Sequence, residues 1–147
     1  MSAKIMALVI ALIAGILMAL QGSLNSRLGK VVGLWETTFI VHIFGLATII
    51  FILFVLRLGK GQLEAAPHAP WYTFLGGILG VLIVYGVVTS IPRLGVAIAT
   101  TSIIVGQVLT ALIIDHFGLF GLAKMPFTWI KVLGLVLLAG GAKLLLG

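Results

Sequence analysis

The 147-residue chain contains no cysteine. This excludes disulfide staples, thiolate metal sites and thiol nucleophiles, and it leaves no mark of the compartment's redox state. Acids are almost as scarce: Asp and Glu number 3 against 9 Lys and Arg, and charged residues make up 8% of the sequence. The 3 histidines are dispersed. A metal site and a nucleophilic triad therefore lack their residues. The glycine-rich stretch GGILGVLIVYG is itself an apolar run, so it cannot serve as a phosphate-binding loop that precedes a helix. No enzymatic constellation and no cofactor are expected.

What the chain does have is apolar length. Hydrophobic residues make up 62% of it and the mean hydropathy is +1.35, far outside the range of soluble domains. The sequence reads as an all-α integral membrane protein, with lipid as its first partner. The formal net charge of +6 does not indicate nucleic acid, because Lys and Arg stand singly between apolar runs, as interfacial anchors and topology signals do.

Uncharged stretches run from Ile5 to Ser26, Thr37 to Leu56, Ala65 to Pro92 and Leu94 to Ile114. Each is long enough for the roughly 20 residues that cross a bilayer core of about 30 Å. The last run has only eleven residues between Lys131 and Lys143, but both lysines can snorkel from its ends. Five transmembrane helices are thus expected in a single domain over residues 1–147, at approximately 4–27, 35–57, 70–91, 94–116 and 127–146. The first run exceeds an ordinary signal-peptide core and is expected to be retained. Trp35 and Trp71 stand where indoles mark the headgroup level, and Pro70 and Pro92 bracket the third helix. The stretch DHFGLFGLAKMP is expected to lie in the interface. Gly15, Ala19 and Ser23, and likewise Gly76 and Gly80, recur at intervals of four and would let helices approach closely.

In this arrangement one side of the membrane holds Lys4, Arg57, Lys60, Lys124 and Lys131, and the other holds Arg27, Lys30, Arg93 and Lys143. Five against four is nearly no orientational bias. Two explanations stand: a weak signal resolved during insertion, or dual topology with two copies meeting antiparallel. The second would supply by dimerisation the inverted repeat that an odd number of helices denies to one chain.

Polar residues inside the runs are the candidates for function. Gln21 and Asn25 lie one turn apart on helix one, and Gln107 lies midway along helix four beside Gly106. An amide facing lipid leaves donors and acceptors unpaired at a cost of a few kcal/mol. Such amides should therefore face protein or water, either as interhelical bonds or as the lining of a permeation path. Thr38 and His42 on helix two, and Tyr85 and Thr89 on helix three, repeat the one-turn spacing. Gln21, Asn25, Tyr85 and Gln107 are the candidate substrate contacts. Glu36 opens helix two, where the helix dipole favours it, whereas Asp115 closes helix four, where the dipole opposes it and a basic partner is expected, either Lys4, Arg57, Lys60 or Lys124 on its own side or Arg27 of an antiparallel second copy. Neither acid lies at mid-membrane, which speaks against proton-coupled export of a cation through a central carboxylate.

With these residues assembled, the chain resembles the half-size, five-helix YdcZ-like family of the drug/metabolite transporter superfamily. The segments that carry the resemblance are GILMALQGSLNSRLG, GGILGVLIVYG, PRLGVA, GQVLTALIIDHFGLFG and GLVLLAGGAKL, spread over essentially the whole chain. The resemblance implies a multi-pass protein of the bacterial inner membrane, similar to small-molecule transporters whose relatives include four-helix dual-topology exporters and ten-helix fused carriers. It implies no substrate, and a shared fold does not fix a function. The leading expectation is a secondary transporter acting as an antiparallel homodimer. The alternatives are a non-transporting assembly component with a packed interior and a small anion channel.

Overall fold

The computed structural model describes residues 2–146, and these are helical apart from the turns. Five α-helices follow one another: α1 (Ala3–Val32), α2 (Leu34–Ile50), α3 (Leu75–Leu94), α4 (Val96–Phe117) and α5 (Trp129–Leu146). A π turn over Phe51–Val55 extends α2, and a 3₁₀ turn over Trp71–Phe74 leads into α3. Four segments are long and apolar enough to cross a membrane: Ala3–Val32, Leu34–Val55, Trp71–Leu94 and Val96–Phe117. The chain divides into two compact units, Met1–Pro92 and Arg93–Gly147.

Helix α1 does not stop near residue 27. Its 30 residues amount to about 45 Å at 1.5 Å per residue. Arg27 and Lys30 end the apolar run but not the helix, because neither residue type breaks helical backbone. What ends it is Gly33, with φ at +103°. The turn into α2 is that single residue. Its backbone N–H donates to the Gly29 carbonyl at 3.1 Å, and its own carbonyl accepts from Thr37 N, also at 3.1 Å. The Glu36 carboxylate folds back over Gly33 so closely that a Cβ there would collide with it. An acid in the first turn of α2 sits at the positive end of the helix dipole.

At its other end α2 loosens into the π turn, where Leu56 N donates to Phe51 O at 3.0 Å, and Arg57 then takes a positive φ of 51°. Pro92 does not end α3. It lies within the last turns of that helix, where its missing N–H costs one bond near an end that frays in any case.

In the first unit the buried residues are Gly22, Asn25 and Ser26 on α1, Thr37 and Thr38 on α2, and Val88 and Ile91 on α3. The helices meet through glycine. A methyl placed on Gly22 would lie 2.9 Å from Val87 Cγ1 and 3.1 Å from Ile91 Cδ1; one on Gly29 would lie 2.6 Å from Val88 Cγ1 and 3.5 Å from Thr37 Oγ1. Gly22, Ser26 and Gly29 therefore form the close face of α1. Of the glycines expected at close faces, a methyl on Gly15 or Gly76 meets nothing within 4 Å among the described residues, whereas one on Gly80 would lie 3.6 Å from His42 Nε2.

In the second unit α4 packs against α5. The connection between them folds back on the end of α4. Gly118 caps the helix with φ at +63° and ψ at 40°. A methyl there would meet Leu122 O at 3.2 Å and Lys124 Cβ at 3.3 Å, so the position requires glycine both for conformation and for space.

Candidate functional site

Most hydroxyls inside the apolar helices are satisfied by their own backbone. Ser23 Oγ donates to Ala19 O at 2.8 Å, Thr37 Oγ1 to Gly33 O at 2.7 Å and Thr38 Oγ1 to Leu34 O at 3.0 Å. Thr89 Oγ1 donates to Tyr85 O at 2.8 Å and Thr110 Oγ1 to Gly106 O at 2.9 Å. A hydroxyl bonded one turn back asks nothing more of its surroundings. His42 behaves in the same way. Its Nδ1 donates to Thr38 O at 2.7 Å, and its Nε2 lies 3.6 Å from where a Gly80 Cβ would stand. His42 is thereby a packing residue between α2 and α3.

The amides differ. The side chains of Gln21, Asn25 and Gln107 make no hydrogen bond among the described residues. A primary amide carries two donors and an acceptor with two lone pairs, and one helical carbonyl cannot satisfy such a group. Asn25 is buried at 7% exposure, and Gln21, one turn earlier, is exposed. The two share a groove of about 480 Å³ lined by Leu17, Met18, Leu20, Gln21, Leu24 and Asn25. Its walls are apolar, its polar groups are the two amides, and it contains no ionisable side chain. Gln107 lies at the middle of α4 and is exposed on the second unit.

Tyr85 does not line this groove. It is half-buried on α3 and stacks on Trp35, with ring centroids 4.4 Å apart and an interplanar angle of 28°. The sequence had given Trp35 an interfacial role and no ring partner; the alternative signal, an aromatic at the matching depth of the antiparallel neighbour, lies fifty residues away in the chain. Glu36 and Arg27 are exposed and Asp115 is half-buried. None of the three forms an ion pair among the described residues. The backbone carbonyl of Asp115 does have a partner, accepting from Met125 N at 2.8 Å. Among the described residues no three His, Asp or Glu side chains gather.

The geometry is thus that of long apolar helices in which most hydroxyls bond to their own backbone and three primary amides bond to no described residue. The family model DMT_YdcZ, described as "Putative inner membrane exporter, YdcZ", matches residues 6–144. The chain belongs to the YdcZ family. It is accordingly a multi-pass inner-membrane protein of the drug/metabolite transporter type. Comparison with curated proteins and with solved structures gives no match.

Proposed function

We propose that this YdcZ-family chain exports a small neutral or zwitterionic amphiphile and works as an antiparallel homodimer. One observation carries the reading: most hydroxyls in the spans bond to their own helices, while the side chains of Gln21, Asn25 and Gln107 bond to no described residue and keep their donors and acceptors. Unpaired amides within an apolar span cost several kcal/mol unless water, protein or a solute completes them. Paired donors and acceptors on apolar walls suit a solute that has both and carries no net charge.

The antiparallel arrangement is supported by the near balance of Lys and Arg, five on one side and four on the other, which gives insertion little to read. Two copies inserted oppositely supply the inverted pair from which alternating access is built. Gln21, Asn25 and Gln107 of both copies line the path, with Tyr85 at one of its ends. The test is efflux from liposomes loaded with a panel of neutral, zwitterionic and cationic amphiphiles. Saturable, protein-dependent loss of neutral or zwitterionic members is the expected result. Non-saturating flux would make the protein a channel, and no flux of any member would make it a non-transporting component.

A further inference from the structure

The segment between α4 and α5 is a strap held closed at two points. Met125 N donates to Asp115 O at 2.8 Å, and Phe127 N donates to His116 Nδ1 at 3.2 Å. The His116 ring also meets Phe127 edge-on, with centroids 6.0 Å apart, and Phe117 at 4.8 Å. Close packing of Leu122 and Lys124 over Gly118 shows how tightly the strap lies on the helix end. Further along, Lys131 Nζ donates to Pro126 O at 3.2 Å.

We propose that His116 is a proton-released latch for this strap. A backbone N–H can only donate, so the bond to Phe127 requires a bare Nδ1, and the ring must carry its single proton on Nε2. A second proton has only Nδ1 to occupy. It would convert the acceptor into a donor and leave two N–H groups facing each other. Imidazole is the side chain whose charge changes between about pH 5 and 8. The closed strap uses the atom that a proton would take, so neutral and alkaline conditions favour closure and acid favours opening. The charged groups on the elements that meet the ring are Asp115 on α4, Lys124 on the strap, packed over Gly118, and Lys131 on α5, bonded to Pro126 O. None of them bonds to the ring. The Met125 bond does not titrate, so acid loosens the half of the strap next to α5 and leaves the half over Gly118 in place. This inference does not depend on what the protein exports.

The experiment is amide hydrogen exchange at Phe127 and Met125 in the full chain in detergent micelles, at about pH 5 and pH 8 and corrected for intrinsic exchange. Phe127 should lose protection roughly three- to tenfold at the lower pH, the factor that loss of one hydrogen bond gives, while Met125 holds. His116→Asn keeps an acceptor oxygen near the Nδ1 position and cannot be protonated, so Phe127 should stay protected at both pH values. In His116→Phe it should be unprotected at both, with α4 intact by exchange of its central amides. Asp115→Asn should keep the pH response. The latch is overturned by equal protection of Phe127 at both pH values in the wild-type chain, by a pH response that survives in His116→Asn, or by one that disappears in Asp115→Asn.

Discussion

Trp35, in the first turn of α2, and Tyr85, midway along α3, stack at 4.4 Å between ring centroids. Trp35 keeps 59% of its surface exposed, so the pair makes a ledge rather than a buried core. An offset aromatic pair contributes about 0.5–1.5 kcal/mol beyond its area burial. A double-mutant cycle of Trp35→Ala and Tyr85→Ala, read by unfolding in mixed micelles, should return a coupling of that size. Two strictly additive substitutions would mean that the rings are neighbours without being partners.

Glycine positions should divide sharply. Gly29→Ala drives a methyl to 2.6 Å from Val88 Cγ1, and Val88 is both 1% exposed and β-branched, hence stiff. Overpacking of this kind costs about 1–3 kcal/mol. In a Val88→Ala background the penalty should shrink, because the obstructing methyl is gone. Gly15→Ala, where nothing lies within 4 Å, should be neutral or stabilising by up to about 1 kcal/mol through helix propensity. Equal effects at the two positions would remove Gly29 from the close face.

These two cases also mark where the sequence was legible. The first four spans were, because length and hydropathy are properties of a run and need no partner. Helix ends were less so: a charge at Arg27 ends an apolar run, whereas only the positive φ of Gly33 ends the helix. Four-residue spacing alone did not single out the contacts: Gly15, Ala19 and Ser23 satisfy it, whereas the glycines of α1 that meet α3 are Gly22 and Gly29, and only the neighbouring helix selects them. The amide face of Gln21 and Asn25 could be read from the i, i+4 spacing alone. The sequence left those amides and the nearby hydroxyls alike as helix bridges or path lining; the bond of Ser23 Oγ to Ala19 O shows a hydroxyl of this stretch satisfied by its own helix instead.

Orientation offers a direct check on the dimer. A reporter fused to the carboxyl terminus should show both orientations for the wild-type chain. Adding two lysines to the amino terminus should shift the population toward amino-terminus-inside, since five against four becomes seven against four, that is 5 + 2 against 4. A single orientation in the wild-type chain would remove the antiparallel pair.

Asp115 makes no ion pair among the described residues, although it closes a helix whose dipole opposes it. In the proposed antiparallel dimer Arg27 of the partner subunit would reach the same side of the membrane. The absence of native cysteine makes disulfide trapping free of background. The double variant Arg27→Cys, Asp115→Cys should therefore cross-link into dimers under mild oxidation, while either single variant yields only symmetric adducts or none. Failure to cross-link in a chain that still migrates as a dimer would place the two residues more than the roughly 7 Å between Cα atoms that a disulfide spans.

The sharpest case concerns the amides. If Gln21 and Gln107 line the path, replacing either by Leu removes donors and acceptors that the solute uses while leaving the volume of the side chain largely unchanged. Loss of one or two hydrogen bonds worth about 1 kcal/mol each should lower export roughly five- to thirtyfold. Stability should not fall, since no described residue bonds to either amide and an apolar replacement relieves an unpaired polar group within an apolar span. A structural amide predicts the reverse, with flux per folded dimer preserved and the dimer weakened. The two outcomes separate when efflux rate and unfolding midpoint are measured on the same preparations of Gln21→Leu, Gln107→Leu and the double variant. In the double variant the losses should be less than additive if one solute engages both amides at once, and additive if it meets them in sequence.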